Sequence, residues 1–159
     1  GKKIQLNNET RLSRYKLELS KIFNFSSIFN LQALIVKEKI NSKNLVNNEL
    51  IRFGGSKSIR GFDDKSIFAD DYTLLITNLN FYLNNSICIF SIFDIANYTN
   101  SILDIEKNIY SGGFGISTET ENGIISINYS KGNNWGESFS LKNAKINVIF
   151  TTFFWLATG

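Results

Sequence analysis

The sequence predicts an all-β protein, an antiparallel transmembrane β-barrel, and three observations predict it. Apolar and polar residues alternate at period two through seven segments, and such alternation, with β-branched and aromatic residues on one side, marks strands. Short polar connections alternate with long ones, as in a barrel with tight turns on one rim and loops on the other. The polar faces carry mostly Asn, Ser, Gly and Thr, unlike the Lys- and Glu-rich face of a sheet turned to bulk water, and they suit a crowded, wet lumen. Period alone leaves a soluble β-sandwich or a solenoid open.

The segments follow in chain order. Arg14, Lys16, Glu18 and Ser20 oppose Tyr15, Leu17 and Leu19 in the first. Phe29, Leu31, Ala33 and Ile35 oppose Asn30, Gln32 and Glu38 in the second. Leu75, Leu79, Phe81 and Leu83 oppose Asn78 and Asn80 in the third, with Thr77 the polar member of the apolar row. The fourth, from Ile87 to Ala96, is apolar on both faces except for Asp94. Tyr110, Phe114 and Ile116 then oppose Gly113, Gly115, Ser117 and Glu119, and Ile125, Ile127 and Tyr129 oppose Ser126, Asn128 and Ser130. In the last, Ile146, Val148, Phe150 and Phe154 oppose Lys145, Asn147 and Thr151. Residues 23–27, 84–86 and 121–123 read as short connections; residues 41–71, 97–108 and 132–143 read as long ones.

Composition narrows the classes. The 159 residues suit one domain. There is no Pro, Met or His; without Met, Gly1 is expected to be a processed end or the start of an excised fragment. Net charge is +3, with no basic stripe, so nucleic acid is not expected as a partner. Cys88, the single cysteine, has no internal disulfide partner. No run of about 18 apolar residues occurs, which excludes a spanning helix and leaves barrel strands allowed. Catalysis is not expected: His is absent, Cys88 lies in an apolar segment, and no carboxylate pair converges. No metal or other cofactor is implied. The acids Asp63, Asp64, Asp70 and Asp71 lack calcium-loop spacing and read as solvated loop acids. Gly112-Gly113-Phe114-Gly115 is followed by no helix and is no phosphate loop; Gly113 and Gly115 are read as clearing lumen space for an inserted loop.

Seven strands do not close a membrane barrel, because closed bacterial barrels have even numbers from about eight upward. An open edge in hydrocarbon leaves a row of unsatisfied backbone groups. The chain is therefore expected to be the C-terminal part of a larger barrel, with early strands and any periplasmic domains upstream.

The connection at residues 41–71 holds Gly54-Gly55-Ser56-Lys57-Ser58-Ile59-Arg60-Gly61-Phe62, and a loop of about thirty residues is usually functional or disordered. The order Gly54-Gly55, then Ile59-Arg60-Gly61-Phe62, then an acid-bearing apolar strand, a Gly-rich strand, the run from Gly123 to Gly132 and a terminal amphipathic strand resembles the bacterial surface antigen family. That family comprises the BamA-type outer-membrane assembly barrels, with TamA, the two-partner secretion pores and mitochondrial Sam as relatives. The resemblance spans residues 10–154.

It implies a barrel of about sixteen strands, of which this chain holds the last seven, in the bacterial outer membrane. Residues 41–71 would fold back into the lumen with Arg60 at the tip. The family's inner wall carries Phe-x-Asp-x-Gly, matched here by Ile92, Asp94 and Ala96; a second family acid aligns with Asn80 and is missing. Parity turns Asp94 to the lumen, where an arginine fork can bind its carboxylate bidentately. Gly61 would allow the turn and Phe62 would anchor the loop. Lys145, Ile146, Asn147, Val148, Ile149, Phe150 and Phe154 would form the closing seam strand. The implied function is insertion and folding of client outer-membrane proteins through a lateral seam. The partners implied are outer-membrane lipid, client β-barrel proteins, and accessory assembly lipoproteins or periplasmic chaperones. A two-partner secretion pore, or a passive porin or binding barrel, is the alternative.

Overall fold

A computed structural model describes residues 12–138 and 143–152. Among these described residues nine strands form: β1 (Ser13–Ser26), β2 (Phe29–Asn41), β3 (Ile51–Phe53), β4 (Ile67–Ala69), β5 (Asp71–Tyr82), β6 (Ile87–Asn100), β7 (Ile105–Thr120), β8 (Gly123–Asn134) and β9 (Lys145–Thr152). Seven of them make one antiparallel sheet in the order β1-β2-β5-β6-β7-β8-β9, and β3 pairs with β4 in a separate hairpin. The register keeps parity across the wall: Asn30 faces Asn80, Asn80 faces Phe90, and Phe90 faces Gly115. Among the described residues β1 and β9 do not pair with each other, so the sheet is open at both edges.

One row points outward and stays exposed, including Ile35, Leu79, Phe81, Ile89, Phe93, Phe114, Ile116, Ile127, Val148 and Phe150. The other row faces inward and is covered by the β3–β4 hairpin. Its core joins Ile51, Phe53, Ile59, Ile67 and Ala69 of the connection to Val36, Ile40, Tyr72, Leu74, Ala96 and Ile109 of the wall. The inner face is therefore not wet throughout. The half beneath the hairpin is mainly apolar, with Glu38 buried in it and accepting from Tyr72 Oη and Arg14 Nε. The half nearer the short turns carries amides, with Asn80 donating to Asn30 and Asn147 to Asn128.

Several boundaries differ from the sequence reading. Strand β1 runs through residues 23–26, and the turn is only Ser27 and Ile28. The long connection expected at 97–108 shrinks to residues 101–104, because β6 and β7 continue pairing through Asn97↔Asn108 and Thr99↔Glu106. Beyond the apolar band a strand needs no alternation, since both faces meet water or polar neighbours. Backbone pairing persists there without its period-two signal. The hairpin β3–β4 was also invisible: three residues per strand are too few to display a period.

Candidate functional site

Strands β3 and β4 carry residues 54–66 between them, so the hairpin holds the loop tip against the inner wall. Gly54 and Gly55 turn the chain with φ of 115° and 90°, values that glycine adopts without strain. Gly55 N–H donates to Ile59 O over 3.1 Å and Ser58 N–H to Gly55 O over 3.0 Å, closing the tip on itself. Ile59 is fully buried in the shared core. It holds the tip more deeply than Phe62, which is half-buried.

Arg60 follows directly and meets polar groups of two strands, β5 and β6. Its Nε donates to Asp94 Oδ2 at 2.8 Å and Nη2 to Oδ1 at 2.5 Å, the bidentate fork that suits a carboxylate. Nη1 donates to Asn78 Oδ1 at 2.5 Å, and Nη2 also donates to Thr77 O at 2.9 Å. The Arg60 backbone N–H adds a bond to Asp94 Oδ2 at 3.2 Å. Asp94 further accepts from Thr77 N–H at 3.2 Å and from Ser111 Oγ at 3.4 Å. Side-chain exposure is 7% for Arg60 and 0% for Asp94, so neither charge has water as an alternative partner. Removing one member of such a buried pair costs about 3–5 kcal/mol, because the other is stranded.

The next three residues engage the far side of the wall. Gly61, at φ 80°, accepts from Gly132 N–H at 3.1 Å, and a side chain on Gly61 would run into the backbone of Lys131 and Gly132. The Phe62 ring lies on Gly132, where a Cβ would overlap it. Asp63 pairs with Lys145 at 2.6 Å. Ile92 and Ala96 flank Asp94 on the inner face, both buried.

Three contacts lay outside the sequence reading. The amide that joins Arg60 on the strand after the loop is Asn78; Asn80, two residues along, is taken up by Asn30. The glycine that receives the loop is Gly132. Gly115 instead makes room for the Phe90 ring and Gly113 lies against Ser130, so those two glycines do not clear space for the loop. A lone glycine in the alternating run Ser130-Lys131-Gly132-Asn133 was the available signal, since glycine inside a strand often marks a close backbone approach. Two of the four loop acids are more engaged than solvated residues, Asp70 accepting from Ser101 and Asp71 pairing with Lys37 and Lys39, whereas Asp63 and Asp64 are exposed, Asp63 with Lys145 beside it.

On β9, Ile146, Val148 and Phe150 are exposed on the outer face, and Asn147 and Ile149 are half-buried on the inner one. Phe154 lies outside the described residues. Lys145 begins the strand and is its contact with the loop.

Against known proteins, residues 2–118 match the model of the haemolysin secretion/activation protein family ShlB/FhaC/HecB. The chain belongs to this family. No curated protein matches it in sequence. Proteins of the ShlB/FhaC/HecB family are outer-membrane β-barrel transporters of bacteria, so the seven-stranded sheet is barrel wall and the outer membrane is its location. The match supports the wider group of outer-membrane barrels to which both secretion pores and BamA-type proteins belong, without singling out assembly.

Proposed function

We propose that this protein is a secretion transporter of the two-partner type, whose lumen loop plugs the barrel and moves aside for an extended client polypeptide. The observation that carries the reading is the Arg60–Asp94 lock in a ShlB/FhaC/HecB-family wall. The lock fastens the tip of a loop packed inside the barrel, and because Ile59 beside it joins the apolar core, withdrawal of the loop must break these polar bonds and open part of that core. We take the seven strands to be part of a barrel of about sixteen, closed so that no strand edge faces lipid. The partners proposed are outer-membrane lipid and a secreted polypeptide, and no catalytic step is involved.

Arg60→Ala in the full-length protein tests this. Export of the cognate polypeptide is expected to fall, and conductance in a planar bilayer to rise, while the cell's other outer-membrane proteins keep their levels. A fall in those levels with export intact would favour a second reading, insertion of client barrels.

A further inference from the structure

Residues 60–63 distribute their contacts in sequence order across the wall: Arg60 to β5 and β6, Gly61 and Phe62 to β8, Asp63 to β9. The β8–β9 register ends at Ser130↔Lys145. Just beyond that last pair, Gly132 N–H bonds Gly61 O, so a loop carbonyl stands beside β8 where the ladder to β9 stops. Asp63 reaches the first residue of β9 from the same side, through Lys145 Nζ.

We infer that Lys145 is a positioning residue for the loop, tying displacement of the tip to the first residue of β9. When the tip withdraws, the Arg60 lock, the Gly61–Gly132 bond and the Asp63–Lys145 pair are lost together. The start of β9 then loses the charge that holds it against the loop. Lock and last strand are thereby one device: the Arg60 half sets whether the loop sits in the lumen, and the Asp63 half transmits that state to β9. The coupling itself requires only that the loop leaves the wall; its use in export rests on the transporter reading.

The pair is partly exposed, with side-chain values of 38% for Lys145 and 74% for Asp63. Its expected effect on the loop equilibrium is therefore modest, up to about fivefold. The test is single-channel recording of the full-length protein in planar bilayers, which needs no secreted client. Lys145→Glu and Asp63→Lys are each expected to raise the open fraction up to about fivefold. The double swap and Lys145→Arg are expected to return it to the parent value. A zero-length carbodiimide, which condenses carboxylate and ammonium to an amide while taking up the water, should join Asp63 to Lys145 in the parent, and joined pores should stay closed. Single variants that leave the open fraction unchanged, a swap that fails to restore it, or the absence of a joined Asp63–Lys145 peptide by mass spectrometry would overturn the inference. Restored gating without export would instead leave it standing and count against the transporter reading.

Discussion

Thr77 donates its backbone N–H to the carboxylate of Asp94, 3.2 Å away, at a gap in the β5–β6 ladder. The register runs to Leu75↔Ile95 and resumes at Asn78↔Ile92, leaving Ile76 and Thr77 out. Thr77 O receives Arg60 Nη2 in the same gap, and Thr77 Oγ1 donates to Phe93 O. The loop is thus wired into the backbone of the wall as well as to its side chains. When Arg60 leaves, a strand carbonyl loses its partner along with the carboxylate.

Either Arg60→Ala or Asp94→Ala should then destabilise the barrel by about 3–5 kcal/mol. The double variant should cost little more than one single, since the second change removes a charge already stranded. Urea unfolding in detergent, followed by heat-modifiable mobility, measures all three. Additive losses would show that the two groups act separately.

Asn78→Ala leaves one guanidinium N–H unpaired while the carboxylate fork remains. A loss of about 1.5–3 kcal/mol is expected, the range for hydrogen bonds to charged groups. Asn80→Ala removes the bond to Asn30 instead, and about 1 kcal/mol is expected. The same unfolding assay separates the two, and equal losses would contradict the assignment of Asn78 to the arginine.

Gly132→Leu places a side chain where the Phe62 ring lies. Overpacking costs about 1–3 kcal/mol, so the tip should leave the wall and expose Ser58. Maleimide labelling of Ser58→Cys, in a Cys88→Ser background, should accelerate about tenfold or more. Adding Phe62→Ala should slow it again by making room, and no change in rate on either step would refute the packing described.

Phe53→Ala attacks the other end of the connection. Phe53 stacks on Tyr72 with ring centroids 4.4 Å apart and meets Tyr98 edge-on at 5.8 Å. Truncation should cost about 3–5 kcal/mol and loosen the whole hairpin. Because this packing is apolar, its loss should be insensitive to salt, whereas that of Lys145→Ala should shrink as salt screens the exposed pair. Unfolding at low and high salt distinguishes them.

The membrane band was legible because a strand with lipid on one side and lumen on the other must alternate. The run from Ile87 to Ala96 also revealed on which side Asp94 stands, since a lone carboxylate cannot face hydrocarbon. Legibility ended where the constraint ended. Residues 97–100 and 105–108 pair above the band without alternating. Ile51-Arg52-Phe53 and Ile67-Phe68-Ala69 are too short to show a period, although their hairpin supplies most of the buried contacts of the connection. Asn78 and Asn80 share a face, so parity could not choose between them; the depth reached by the loop chooses. The pairing of Asp63 with Lys145 joins residues far apart in sequence that carry ordinary surface charges, and no local pattern announces it.

The amides on the half of the wall away from the hairpin have a consequence for anything that travels past them. Asn30, Asn80, Asn128 and Asn147 carry donors and acceptors without net charge and satisfy part of them on one another, Asn80 on Asn30 and Asn147 on Asn128. An unfolded chain sliding by would trade hydrogen bonds with such a surface at near-zero net gain, much as it does with water. Such a lining grips no particular sequence and repels none. On the transporter reading proposed above, recognition of cargo would have to happen before the chain reaches this stretch, and the wall itself would serve as an indifferent, low-friction track.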